Sequence, residues 1–161
     1  MIDRNLKALL SASAGLMALL YVLHNLANLQ QAHDFFIYTT SHADQKAYPV
    51  TLLPVPSEIL IVIAMIMVFA LELAAGVLGI FGGWKLWSAR KDDAAGFEAA
   101  KKWSKIAMGC AVLNWWGLFQ GVAVAGYQLW QMPLGVGPNQ GSWVFGGIAM
   151  MTLIYITMRD D

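Results

Sequence analysis

The sequence predicts an all-α fold, an integral membrane four-helix bundle forming a single domain over residues 1–161, with both termini cytoplasmic. Three observations predict it. The chain is 58% hydrophobic and only 12% charged, with a mean hydropathy of +0.57, whereas a soluble domain carries about a quarter charged residues. Its apolar residues fall into four blocks, at about residues 6–26, 59–81, 106–129 and 143–158. Three of these exceed the roughly 18 residues that mark a spanning helix, and the fourth is nearly as long. Finally, nine of the ten Lys and Arg residues share one side of that pattern. They are Arg4, Lys7, Lys85, Arg90, Lys91, Lys101, Lys102, Lys105 and Arg159; only Lys46 falls on the other side. Cytoplasmic loops carry such an excess of cations.

Each block is expected to be a helix. Hydrocarbon offers the backbone no partner, and barrel strands alternate where these blocks are continuously apolar. The first block has the basic start of a signal peptide, but "NLANLQQAHD" is a poor cleavage site, so an uncleaved helix is expected. In the outer segment 27–57, Phe35, Phe36 and Tyr38 suit a short interfacial helix, and Pro49, Pro54 and Pro56 favour extended chain. A loop this long is usually functional or held by a partner. The second block carries small residues at helical spacing, Ala75, Gly79 and Gly83; the third carries Gly117, Gly121 and Ala125. Both ridges are candidate helix-packing surfaces, because small side chains let backbones approach.

Between those blocks, "SARKDDAAGFEAAKKW" reads as a solvated helical turn whose lysines are attracted to anionic lipid. Trp84, Trp87 and Trp103 are placed in an inner aromatic belt, and Tyr127, Trp130 and Trp143 in an outer one. The short "QMPLGVGPNQGS" connection makes the third and fourth helices antiparallel neighbours. Cys110, the single cysteine, has no internal disulfide partner and is expected to pack within its span.

The candidate site centres on "VFALELAAG", which puts Glu72 inside a span. A charge at mid-bilayer costs about 2.5–3.5 kcal/mol on insertion scales. No lysine or arginine lies within a span to offset it. Residues at comparable depth define an intramembrane polar cluster of Glu72, Asn114 and Thr152, with Gln120 and His24 further outward and Ser11 and Ser13 further inward. A neutral, protonated Glu72 bonded to the Asn114 amide is the plain structural reading. The sharper alternatives are proton relay, cation binding, or contact with a cofactor or quinone head group.

Other chemistry is weaker. A relay needs several titratable groups, and His24 is the only other candidate. His24, His33 and His42 are spaced nine residues apart, which opposes a shared metal site on one helix. A single membrane histidine cannot hold a bis-histidine haem. No metal and no cofactor are expected. "NWW", residues 114–116, could stack on a pigment or quinone, although packing is the plainer reading. There is no nucleophile–base pair and no phosphate-binding glycine loop, so no catalytic residue is assigned. Zero net charge gives no indication of a nucleic-acid partner.

The order of "LKALLSASAGLMALLYVLHNLANL", Glu72 followed by small residues and "GGWKLWSARK", "FEAAKKW" and the closing "LWQM" resembles a bacterial family of predicted small four-helix integral membrane proteins, a domain of unknown function. The resemblance covers nearly the whole chain and implies four helices but no activity. The chain departs from the family pattern at Ala125 and Gly126, where an acidic residue and a tryptophan are expected, and at His24, where asparagine is common. The resulting expectation is a non-catalytic accessory subunit of a larger, energy-transducing complex of the bacterial inner membrane. Its expected partners are lipids and other integral membrane subunits. A small transporter component using Glu72 and a quinone- or cofactor-binding anchor are the alternatives.

Overall fold

The computed structural model describes residues 1–160, and among them there is no β-strand. Helix α1 runs Ile2–Ala27 and α2 runs Leu29–Thr40, separated by Asn28 alone. An irregular segment leads to α3, Glu58–Ser88, followed by a short α4, Ala94–Ala100. Helix α5, Lys102–Val112, continues directly into a π-helical segment, Leu113–Gly126. Two short 3-10 turns then lead to α6, Val136–Thr157.

Three stretches are long and apolar enough to cross a membrane: Ile2–Ala27, Glu58–Lys91 and Ala94–Gly126. Helix α6 has 22 residues, about 33 Å at 1.5 Å per residue. It is less apolar because its first turns contain Gly137, Pro138, Asn139 and Gln140. The helix therefore begins seven residues before the apolar block at about 143. The "GVGP" stretch begins a helix because the first backbone N–H groups have no intrahelical acceptor, so Pro138 loses little there. The third apolar helix ends at Gly126, and Leu129 belongs to a separate 3-10 turn.

Helix α3 is central, with α1 on one side and α5 on another. Its seam with α1 is made of glycine. A Cβ on Gly15 would lie 2.7 Å from the backbone nitrogen of Ile80, and one on Gly79 would lie 2.7 Å from the Cα of Gly15. Gly76 meets the backbone of Leu19, and Gly83 meets Ala8 and Ala12. The backbones therefore touch, the close approach that small residues permit in a membrane. The core beside this seam is also built from small residues, with Ala14, Ala18, Ala75, Ala107, Ala111 and Ala149 around Met108, Trp115 and Ile156.

Both termini lie at one end of the bundle. There the Arg4 guanidinium donates to the Asp92 carbonyl (2.6 Å), and the Tyr155 hydroxyl to Asp3 Oδ1 (3.0 Å). The segment expected to be a solvated turn is anchored in the protein: Phe97 and Lys101 are fully buried, and Phe97 packs with Ala8, Leu86 and Ala89. Its pattern misled because the burial is carried by one phenylalanine and by a lysine, Lys101, of a kind ordinarily solvated.

At the opposite end, the chain holds its own long loop. Gln131 Oε1 accepts from the backbone N–H of Ala47 (2.9 Å) and Tyr48 (3.1 Å), and Gln131 Nε2 donates to the Tyr48 carbonyl (3.1 Å). Gln45 Nε2 donates to the Tyr127 carbonyl at 2.6 Å, and Gln128 Nε2 to the Val50 carbonyl at 3.2 Å. Gln128 adopts a left-handed conformation, φ 56°, to turn the chain out of the π-helix.

Candidate functional site

Glu72 occupies the place where the α1–α3 glycine seam ends. Gly76 is the last glycine of the seam, and four residues before it the Glu72 side chain is buried, 3% exposed. Asn25, near the end of α1, donates through Nδ2 to Glu72 Oε2 at 2.9 Å. Asn114, on the π-helical segment, donates through Nδ2 to Glu72 Oε1 at 3.4 Å. Asn114 is fully buried and its Oδ1 has no hydrogen-bond partner. Two amides from two different helices thus converge on one carboxylate, with one buried acceptor left over.

This carboxylate lies on the wall of a cavity of about 620 Å³ between α1, α2, α3, the π-helix and the start of α6. Asn25, His24, Asn28 and Gln31 supply its polar lining. Tyr21, Trp115 and Phe145 supply an aromatic wall, with ring centroids 4.9 Å apart for Tyr21–Phe145 and 5.7 Å for Trp115–Phe145. A second, apolar cavity of about 230 Å³ lies between α2, α3 and the π-helix. The two share Phe35, Phe36, Val68 and Phe119 as a common wall. A largely apolar cavity with a polar edge at Glu72 and Asn25, beside an apolar annex, suits a molecule with one hydrogen-bonding end and one hydrocarbon end.

The π-helix shapes both cavities. It begins one residue before Asn114, and its side chains Trp115 and Phe119 line the larger cavity. π-Helical turns are rare and often occur at functional sites; here the segment runs for 14 residues.

The other predicted cluster members are dispersed. His24 lines the cavity, but its Nδ1 is 2.8 Å from the Leu20 carbonyl of its own helix. Gln120 turns to α6, donating to the Asn139 carbonyl (2.8 Å) and to Ser142 Oγ (2.8 Å). Thr152 is buried on α6 and does not line the cavity. Ser13 is exposed, while Ser11 is buried against Gly79 O (2.9 Å) and Ser104 Oγ (2.7 Å). His42 sits in the outer loop, 3.0 Å from the Leu53 carbonyl. No group of three or more metal-ligating side chains occurs among the described residues.

Asn25 is the partner that sequence reasoning missed. Its signal was an amide at the edge of the first apolar block. The packing ridges also differ from each other. Ala75, Gly79 and Gly83 are buried in the bundle, whereas Gly117, Gly121 and Ala125 are exposed and the space beside Gly117 is open.

Comparison with known proteins identifies the chain. Residues 3–159 match the family described as predicted small integral membrane protein (DUF2165), and the chain belongs to it. No curated protein and no solved structure matches it.

Proposed function

We propose that this family member is a four-span, non-catalytic protein of the bacterial cytoplasmic membrane that binds an amphiphilic small molecule beside Glu72. The observation that carries this reading is a buried carboxylate on the wall of a cavity of about 620 Å³ that adjoins an apolar one of about 230 Å³. Glu72 would accept a hydrogen bond from a hydroxyl or amine on the ligand head, a quinol hydroxyl being one example. The aromatic wall would cover the head's apolar faces, and the annex between α2 and α3 would take a hydrocarbon chain. Transport through the chain alone is less well supported, because the glycine contacts of α1 and α3 close the bundle on the far side of Glu72. The test is organic extraction of the purified protein followed by mass spectrometry. Wild type should retain a small amphiphile that Glu72→Leu lacks; equal recovery from both would overturn the reading.

A second reading, an accessory subunit of a larger membrane complex, is favoured by one specific observation. The Gly117–Gly121–Ala125 ridge is exposed, and no other helix of the chain packs on its glycines. Gly121→Leu would fit the isolated chain and block a helix from outside. Native electrophoresis of membrane extracts should then show the variant at a lower mass than wild type. An unchanged assembly size counts against a partner at this ridge.

A further inference from the structure

The basic end of the bundle contains a cluster that the Glu72 site does not use. Lys7 on α1 and Lys101 between α4 and α5 are 1% and 0% exposed, an unusual place for two lysines. Both ammonium nitrogens lie 2.7 Å from the same oxygen, Asp160 Oδ2, and both donate to the Met158 carbonyl at 2.7 Å. Glu98 accepts from Lys101 at 2.7 Å, but it is shared with Lys105 at 2.8 Å and is partly exposed. Among the described residues, the two buried ammonium groups share one carboxylate oxygen, and Glu98 is divided between Lys101 and Lys105; burying a cation is costly unless it is paired.

We propose that Lys7 and Lys101 form a phosphate-binding site that the chain's own Asp160 fills until a phosphate group displaces it. A phosphate offers more acceptor oxygens than a carboxylate, and both lysines could bond to it at once. Asp160 is suited to be displaced. It lies three residues beyond the end of α6, in a tail that belongs to no helix, so its departure breaks no helical hydrogen bond. There is room beside it: a cavity of about 340 Å³ is lined by Asp3, Arg4, Lys7, Tyr155, Arg159 and Asp160. The phosphate could belong to an anionic lipid head group or be free in solution. The exposed Trp84 and Trp87 at the same end suit the interfacial level at which a head group would arrive.

The experiment uses the full chain in neutral-lipid nanodiscs. Phosphatidylglycerol and inorganic phosphate are titrated separately, and binding is followed by native mass spectrometry and phosphorus NMR. Asp160→Asn keeps the shape of the tail residue and removes its charge. If the tail occupies the site nine parts in ten, this variant should bind the phosphate probe about tenfold more tightly than wild type. Adding Lys101→Gln, or Lys7→Gln if that variant is the one that folds, should abolish the gain. A gain for the lipid alone assigns the site to the bilayer, and a gain for both probes shows that free phosphate suffices. Equal binding by wild type and Asp160→Asn for both probes overturns the proposal, as does a gain that survives loss of a lysine.

Discussion

At the scale of single residues, Glu72 is held by amides rather than by cations. Hydrogen-bond balance decides how it tolerates change. Glutamine at this position keeps an acceptor for Asn25 and brings an N–H₂ group that can reach the unpaired Asn114 oxygen. Glu72→Gln should therefore leave thermal stability in detergent unchanged or slightly raised. Glu72→Leu strands both amides and should destabilise the fold by about 1–3 kcal/mol, read from the same melting curves. Asp160 makes a second prediction. Burial pushes its carboxyl up, but hydrogen bonds from Lys101 and Lys7 outweigh this and leave it below its ordinary value of 3.8. The contact's contribution is present above that value and is lost as pH falls through the lowered one. Limited proteolysis of the C-terminal tail should stay slow from neutral pH down to about 4 and accelerate only below it.

At the scale of elements, the glycine seam is the part most sensitive to substitution. Gly79→Leu would drive a side chain into the α1 backbone, which cannot yield as a flexible side chain would. The variant should lose the monodisperse elution of wild type, whereas Gly121→Leu, facing open space, should elute normally as an isolated chain. Gly79 and Gly83 of the seam were readable from sequence, since they recur at helical spacing with Ala75, whereas Gly15 and Gly76 were not singled out. The pairing of Glu72 with Asn114, two polar residues deep in apolar blocks, was readable too. Asn25 was not, because depth counted from block edges treats every helix as straight and starting at the membrane surface. Helix α1 instead begins at Ile2 and is followed across one residue by α2, which brings Asn25 level with Glu72. The π-helix had no detectable signature either, since Leu113–Gly126 is as apolar as an ordinary span. The glutamine strap on residues 45–50 depends on contacts about 80 positions apart, beyond any local pattern.

At the scale of the whole molecule, the charge distribution and the shared end of the termini support the proposed orientation. Reporter fusions at Lys102 and Lys46 should fall on opposite sides of the membrane, with Lys102 inside. Finding both on one side would reverse the proposed four-span topology. The two proposed sites would then face different compartments. The Glu72 cavity opens toward the α2 end, and the lysine cluster lies at the level of the termini.

The glycine seam also bears on how the chain is made. Its two halves, α1 and α3, both leave the ribosome before α5. Their contact requires nothing from residues after Lys91. Chains fold from the N-terminal side during synthesis. The hairpin of α1 and α3 can therefore close in the bilayer while α5 is still being translated, leaving Glu72 with Asn25 but without Asn114. In that order of events the carboxylate is half-partnered until the π-helix is made.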